Sequence, residues 1–338
     1  MFLKNGVTDS ILYSFISLIC IIFYICIAYF LKNGNRLENI FKIFYLMTLI
    51  YIVISVLKNP TSVNIYDIKN NLFNIDKRLN REMYGFVAPN AFAILSITNI
   101  LLGFYLSSIV YRKEYLKKLL INLSIILNIV LIITTASRGA LISLIVFFLI
   151  FFYNKILNNK FHKLIKYIIT GTIILYLINK ILYFFSLGLN YSKLTSGRLG
   201  NWQEVIQRLN ERDSIFTGLG YVNSNTFYNS DLTANLLTDN WFIHTLAMQG
   251  ILGLLLGILL IFIILLVLYK NGKRNYSDEN NYFKSFTFLI LIYSTVENMF
   301  FNVNYILTMF YWIAIFTYLF KCTDIENYIR RKKNEQKI

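Results

Sequence analysis

Residues 241–269 read WFIHTLAMQGILGLLLGILLIFIILLVLY, and no Asp, Glu, Lys or Arg interrupts them. A run of this length exceeds the roughly 20 apolar residues that a helix needs to cross the hydrocarbon layer of a bilayer. Backbone N–H and C=O groups find no water there, so unbroken apolarity over such a span predicts a helix, not an alternating barrel strand. Working outward, comparable segments run approximately over Ser10–Leu31, Ile40–Leu57, Val87–Val110, Leu116–Ala136, Ala140–Tyr153, Leu164–Leu187, Phe286–Phe301 and Val303–Phe320. About nine spanning helices are therefore expected. With 57% of 338 residues hydrophobic and only 15% charged, the chain reads as one all-α, polytopic integral membrane domain covering residues 1–338.

The first segment is too long for a cleaved leader, and no small-residue cleavage site follows it, so it is expected to stay as a helix. Basic residues cluster at Lys32 and Arg36, at Arg112, Lys113, Lys117 and Lys118, at Lys155, Lys160 and Lys163, and at Lys270, Lys273 and Arg274. The positive-inside rule makes these loops cytoplasmic, together with the basic tail 321–338. An odd number of spans then puts the N-terminus outside and the C-terminus inside. The Lys58–Phe86 loop, with Lys58, Lys69, Lys77, Arg78 and Arg81, falls outside and runs against this scheme. The net charge of +16 reads mainly as topology setting and attraction to anionic lipid. No nucleic-acid module accompanies it, so nucleic acid is not an expected partner. Cys20, Cys26 and Cys322 have neither disulfide nor metal spacing and read as small packing residues.

The one sizeable polar insert, residues 187–240, becomes a large extracytoplasmic loop in this topology. Within it Trp202, Val205, Ile206 and Leu209 recur at i, i+3, i+4 and i+7, which predicts a short amphipathic helix over Asn201–Asn210 lying on the membrane or covering a cavity. Asn201 followed by Glu204 resembles a capping box. Ser196-Gly197-Arg198 stands where the unpaired N–H groups of that helix would point, a plausible phosphate site or else an ordinary solvated arginine. Gly218-Leu219-Gly220 is a turn signal only.

Ionisable groups near spanning segments are the second signal, because insertion at bilayer depth costs roughly 2.5 to 3.5 kcal/mol. Arg138 lies in the tight turn between the fourth and fifth segments, and Asp239 just before the seventh. His244 falls about one turn inside the seventh, and Glu297 near the end of the eighth. Each also has a plain structural reading: interface anchor, helix cap, packing histidine and arginine partner. There is no Asp-x-Asp pair to hold a metal against a diphosphate, and no metal or other cofactor is expected. Several arginines with one imidazole fit a different reaction. Guanidinium groups neutralise a diphosphate leaving group while a base takes a proton from a hydroxyl.

At this point the chain resembles the Wzy-type polysaccharide polymerases and the related O-antigen ligases. The resemblance rests on Arg81-Glu82-Met83-Tyr84-Gly85-Phe86-Val87-Ala88-Pro89-Asn90, on Ser137-Arg138-Gly139 and on Ser196-Gly197-Arg198 followed by Trp202. It also rests on Gly218-Leu219-Gly220-Tyr221 and on Asp239-Asn240-Trp241 running into Gly250-Ile251-Leu252-Gly253. It implies a multi-helix, metal-independent glycosyltransferase of the lipid-linked-sugar (GT-C-like) type in the cytoplasmic membrane. Its substrates would be oligosaccharide repeat units on undecaprenyl diphosphate, and a chain-length regulator and a flippase of the same pathway would be its partners. Arg81, Arg138 and Arg198 match family arginines expected on the diphosphate. His244, Asp239 and Glu297 remain as candidates for the base, since many relatives carry a histidine nearer the Asp-Asn pair and Ala88 stands where a histidine is frequent. The rival readings are a ligase passing finished glycan to another acceptor, and a flippase. A flippase would be marked by inverted repeats and broken mid-membrane helices, neither visible in the sequence.

Overall fold

The computed structural model describes residues 7–33, 35–60, 81–156, 198–220, 239–274, 277–302 and 305–335. Among them every regular element is helical: α1 (Val7–Leu31), α2 (Arg36–Lys58), α3 (Pro89–Tyr105, prolonged by a π turn over Leu106–Val110), α4 (Tyr115–Thr134), α5 (Arg138–Ile156), α6 (Arg198–Glu211), α7 (Trp241–Arg274), α8 (Asp278–Ser294) and α9 (Ile306–Glu335). Five helices are long and apolar enough to cross a membrane: α2, α3 with its π turn, α4, α7 and the first part of α9. Shorter apolar stretches occupy Phe15–Leu31 and Arg138–Tyr153. The sixth apolar segment, 164–187, lies outside the described residues, as does most of the polar insert.

The helices pack as a bundle in which α8 lies along α5, α3 along α4 and α2, and α1 along α9. Aromatic side chains fill the core: Phe41, Tyr105, Phe147, Tyr282, Phe283, Phe300 and Tyr311 are all essentially buried. The outward faces of α1, α2, α4 and α7 carry bare leucines and isoleucines such as Leu57, Leu120 and Leu256, as lipid-facing helices do. Hydrocarbon on the outside removes most of the hydrophobic drive between helices, so small and polar groups help to hold them together. Asn99 Nδ2 on α3 donates to Tyr45 O (3.0 Å) and Thr48 Oγ1 (2.8 Å) on α2, and Asn128 Nδ2 on α4 donates to Asn99 Oδ1 (3.0 Å). At about 0.6 kcal/mol each, such bonds set register more than they set stability.

Two ends result. At one, Arg112 pairs with Asp278 (3.3 Å), and Glu279 accepts from Tyr105 Oη (3.1 Å) with Lys321 at 4.0 Å. The other end gathers the starts of α3, α5, α6, α7 and α9 with the ends of α4 and α8.

Three sequence expectations are corrected. The eighth segment is displaced from Phe286–Phe301 to Asp278–Ser294. Ser277 caps it by accepting from Asn280 N (3.1 Å), and the polar first turns are buried against neighbours, Tyr318 Oη donating to Asn280 Oδ1 (2.9 Å). The surface helix begins at Arg198, so Asn201 lies inside it and cannot cap it, and Glu204 pairs with Arg208 (3.0 Å). The seventh span is also broken, at Gly250 (φ 67°, ψ −168°). Into the break comes the segment after α6: Leu219 N and Gly220 N donate to Ala247 O (2.7 Å) and Met248 O (3.0 Å), while Ile251 N donates to Ile215 O (2.9 Å). A Cβ on Gly250 would sit 2.3 Å from Phe216 O, and one on Gly218 2.4 Å from the Met248 backbone, so both positions require glycine. The basic tail begins as a continuation of α9, which runs helical through Glu335.

Candidate functional site

The site end contains a cavity of about 310 Å³ whose lining includes Arg81, Arg138 and Arg198 together with Asn90, Ser137, Trp202, Tyr293 and Glu297. The three arginines come from three separate stretches of chain, and each is placed by backbone features local to it.

Arg81 precedes a tight turn in which Tyr84 and Gly85 both take positive φ (48° and 81°). The turn is tied to the end of α4 by a 2.7 Å bond between Tyr84 Oη and Thr134 Oγ1. Arg81 Nε then donates to Thr135 O and Nη2 to Asn90 Oδ1, both at 2.9 Å. Pro89 starts α3 where its missing N–H costs nothing, and so places Asn90 in the first turn. Arg138 is the first residue of α5, reached through Ala136 at φ 48°, a left-handed conformation that reverses the chain within a few residues. Gly139 lets α5 approach the end of α8: a Cβ there would meet Val296 Cγ2 at 2.8 Å. Arg198 opens α6, which is docked through its buried Val205 and Leu209 onto Leu219, Ala247 and Met248. Trp202 of the same helix lines the cavity, so the helix covers it as well as packing on α7.

Arg198 is the hub. Its Nη1 donates to Val296 O (2.6 Å), and its Nη2 lies 3.0 Å from Asp239 Oδ2 and 3.6 Å from Glu297 Oε1. Asp239 is free to make that pair because the cap of α7 is its neighbour. Asn240 Oδ1 accepts from Phe242 N (2.8 Å) and Ile243 N (3.2 Å), and Asn240 Nδ2 donates to Thr295 O (2.9 Å). The cap reading of Asp239 is thus replaced by an ion-pair role.

Glu297 lies past the end of α8, in the turn outside the helix, and is only 7% exposed. Asn90 Nδ2 donates to its Oε1. Burial, with Asp239 adding to it, pushes its carboxyl up to about 7, against the opposing pull of Arg198 and the hydrogen bonds from Asn90 and Arg198. Burial also lowers Arg81 from its ordinary value; Glu297 opposes that, and Arg138 and Arg198 reinforce it. Among the described residues, three guanidinium groups face two carboxyls, which leaves one net positive charge, or two when Glu297 holds its proton. This is an arrangement for an anion with more than one charge, beside a carboxyl able to exchange a proton near neutral pH.

His244 is elsewhere. It lies on α7 and lines a second cavity of about 340 Å³ with Trp241, Gln249, Asn298, Asn302 and Trp312. Its buried Nδ1 has no hydrogen-bond partner. Of the residues expected from sequence, Arg81, Arg138, Arg198, Asp239 and Glu297 are brought together, and His244 is not. Asn90 and Tyr293 belong to the cavity; Asn90 falls within the Arg81–Asn90 stretch quoted above without being named as a site residue, and Tyr293 was not singled out by sequence reasoning. Asn90 carried a signal, as the residue after a proline able to start a helix. Ser196 and Gly197 lie outside the described residues. No group of three or more His, Cys, Asp or Glu side chains suited to a metal occurs among the described residues.

Comparisons with protein-family models, with curated proteins and with solved structures find no match for this chain.

Proposed function

We propose that this chain is a glycosyltransferase of the Wzy type, polymerising undecaprenyl-diphosphate-linked repeat units at the outer face of the cytoplasmic membrane. In this reading it has about nine spans in a GT-C-like arrangement, its N-terminus and the 187–240 loop are outside, and its tail is inside. The observation that carries the reading is the gathering of Arg81, Arg138 and Arg198 around Glu297 in one cavity. The donor is the growing glycan on its lipid diphosphate, and the acceptor is a sugar hydroxyl of the next lipid-linked unit. The hydroxyl oxygen bonds to the anomeric carbon as the bond to the diphosphate oxygen breaks. Its proton goes to Glu297, and the departing negative charge rests on the guanidinium groups. Asp239, held by Arg198, positions that arginine.

The test is the size distribution of glycan made in cells. Arg138→Ala and Arg198→Ala should insert normally and make no long polymer; unchanged length ladders from both would refute the assignment. The acceptor that is left unmodified in a deletion strain separates polymerase from ligase. One observation favours a non-enzymatic second reading: α7 is broken at Gly250, as the helices of carriers often are. A flippase would leave single units inside the membrane when deleted, whereas a polymerase would leave them outside.

A further inference from the structure

Along a straight helix Trp241 and Gly257 would lie about 24 Å apart. A Cβ on Gly257 would nevertheless meet the Trp241 ring at 2.8 Å, so the break at Gly250 folds α7 back on itself. Across the bend a Cβ on Gly253 would sit 2.6 Å from Gln249 Oε1. Both arms of the fold face the second cavity, Trp241 and Gln249 from one and Gly253 and Gly257 from the other, and the turn after α8 closes it with Asn298 and Phe301. Among the described residues no Asp, Glu, Lys or Arg lines this space, so an ion entering it would lose its hydration with no charged partner in exchange. The amides of Gln249 and Asn298 make no hydrogen bond among the described residues, and both keep accessible surface, unlike the sealed Nδ1 of His244. Phe301, partly exposed and stacked on Trp312 (centroids 5.1 Å apart, planes at 18°), adds a flat apolar wall. Unbonded amides beside a flat ring, without charge, suit a sugar. Its C–H face lies against aromatic carbon, and each hydroxyl both donates and accepts, as an amide side chain does. This cavity also begins where the arginine cavity ends: Glu297 faces one and Asn298 the other, and Asp239 pairs with Arg198 while Trp241 lines the second.

Resting on the diphosphate reading above, we propose that the second cavity binds an uncharged sugar ring of the lipid-linked substrate, with Gln249 and Asn298 hydrogen-bonded to its hydroxyls, and turns away rings that carry a carboxylate. The two cavities then select by different means: the diphosphate is held by charge, the sugar by neutral amides and an aromatic face.

Full-length protein in lipid nanodiscs, examined by saturation-transfer NMR with the methyl glycosides of glucose, galactose and N-acetylglucosamine, tests this. At least one should bind, and glucuronate should fail to displace it. Gln249→Ala and Asn298→Ala, on separate elements, should each weaken that binding about two- to tenfold, the range for one neutral hydrogen bond. Their ligand-free unfolding temperatures should stay at the wild-type value, since neither amide is bonded within the protein. Inorganic pyrophosphate affinity, measured by calorimetry, should be the same in both variants as in the wild type. Failure of all three glycosides to bind, displacement by glucuronate, or glycoside affinity unchanged in both variants overturns the inference. If a glycoside binds and responds to both amides while the wild type leaves pyrophosphate unbound, the diphosphate reading falls and the sugar cavity stands.

Discussion

Two cavities of similar size flank the same turn, and they differ in kind. Thr295, Val296 and Glu297 face one, of about 310 Å³; Asn298, Phe301 and Asn302 face the other, of about 340 Å³. The first holds three arginines and a carboxyl. Among the described residues the second is lined by no Asp, Glu, Lys or Arg, only by aromatic rings, amides, hydroxyls and the His244 imidazole among apolar residues. The boundary between Glu297 and Asn298 sorts the chain by charge. A carboxylate buried without a cation would cost several kcal/mol, so Glu297 is tolerable on the arginine side and would not be on the other. In the proposed reaction, proton transfer beside an anion therefore belongs to the smaller cavity, and His244, whose Nδ1 has no hydrogen-bond partner, lies in the larger.

The largest effect that could break this contrast is in turnover. Glu297→Gln should slow glycan transfer by about 10²- to 10⁴-fold, the usual contribution of a general base, whereas His244→Gln should stay within about tenfold of wild type. Polymer formation in membranes charged with lipid-linked units measures both, and equal damage from the two would dissolve the distinction. The pH dependence sharpens it. In the proposed reaction Glu297 acts deprotonated, and with burial pushing its carboxyl up to about 7 the rate should fall as pH drops through 7, by about tenfold per unit well below it. The charged or titratable groups facing it are Arg198, Asp239, Arg81 and the Tyr293 and Tyr305 phenols. Arg198 is the one that pulls it down, so residual activity in Arg198→Ala should show its midpoint moved to higher pH. A smaller effect belongs to the uncharged cavity. A Cβ on Gly257 would meet the Trp241 ring at 2.8 Å, so Gly257→Leu should overpack it and lower stability by about 1 to 3 kcal/mol in thermal unfolding. Smallest is Asn240→Ala, which removes the cap of α7 and its bond to Thr295 O, for about 1 kcal/mol by the same measurement.

Hydropathy made the long helices legible because lipid-facing leucines such as Leu255, Leu256 and Leu259 on α7 leave a continuous apolar record. It misplaced α8 because Asp278, Glu279, Asn280 and Asn281 read as loop, although Tyr105, Tyr318 and Lys321 receive two of them. The arginines were legible as ionisable residues in loops that the sequence-based topology puts outside, where the topology rule has no use for them. His244 was misjudged for a geometric reason. Asp239 precedes the cap of α7, so helical periodicity does not set its direction, and closeness in sequence to a helical residue predicted a shared pocket wrongly. The break at Gly250 left no trace, since a lone glycine inside an apolar helix is common and its φ depends on the segment that docks there.

That docking is made of main chain on both sides, with amides 219 and 220 bonded to carbonyls 247 and 248, and amide 251 to carbonyl 215. Peptide groups are the same at every position. The joint that carries Arg198 toward its partners should thus survive wide variation in the side chains of 215–217, while requiring glycine at 218 and 250 and an apolar side chain at 219 for the contact with α6.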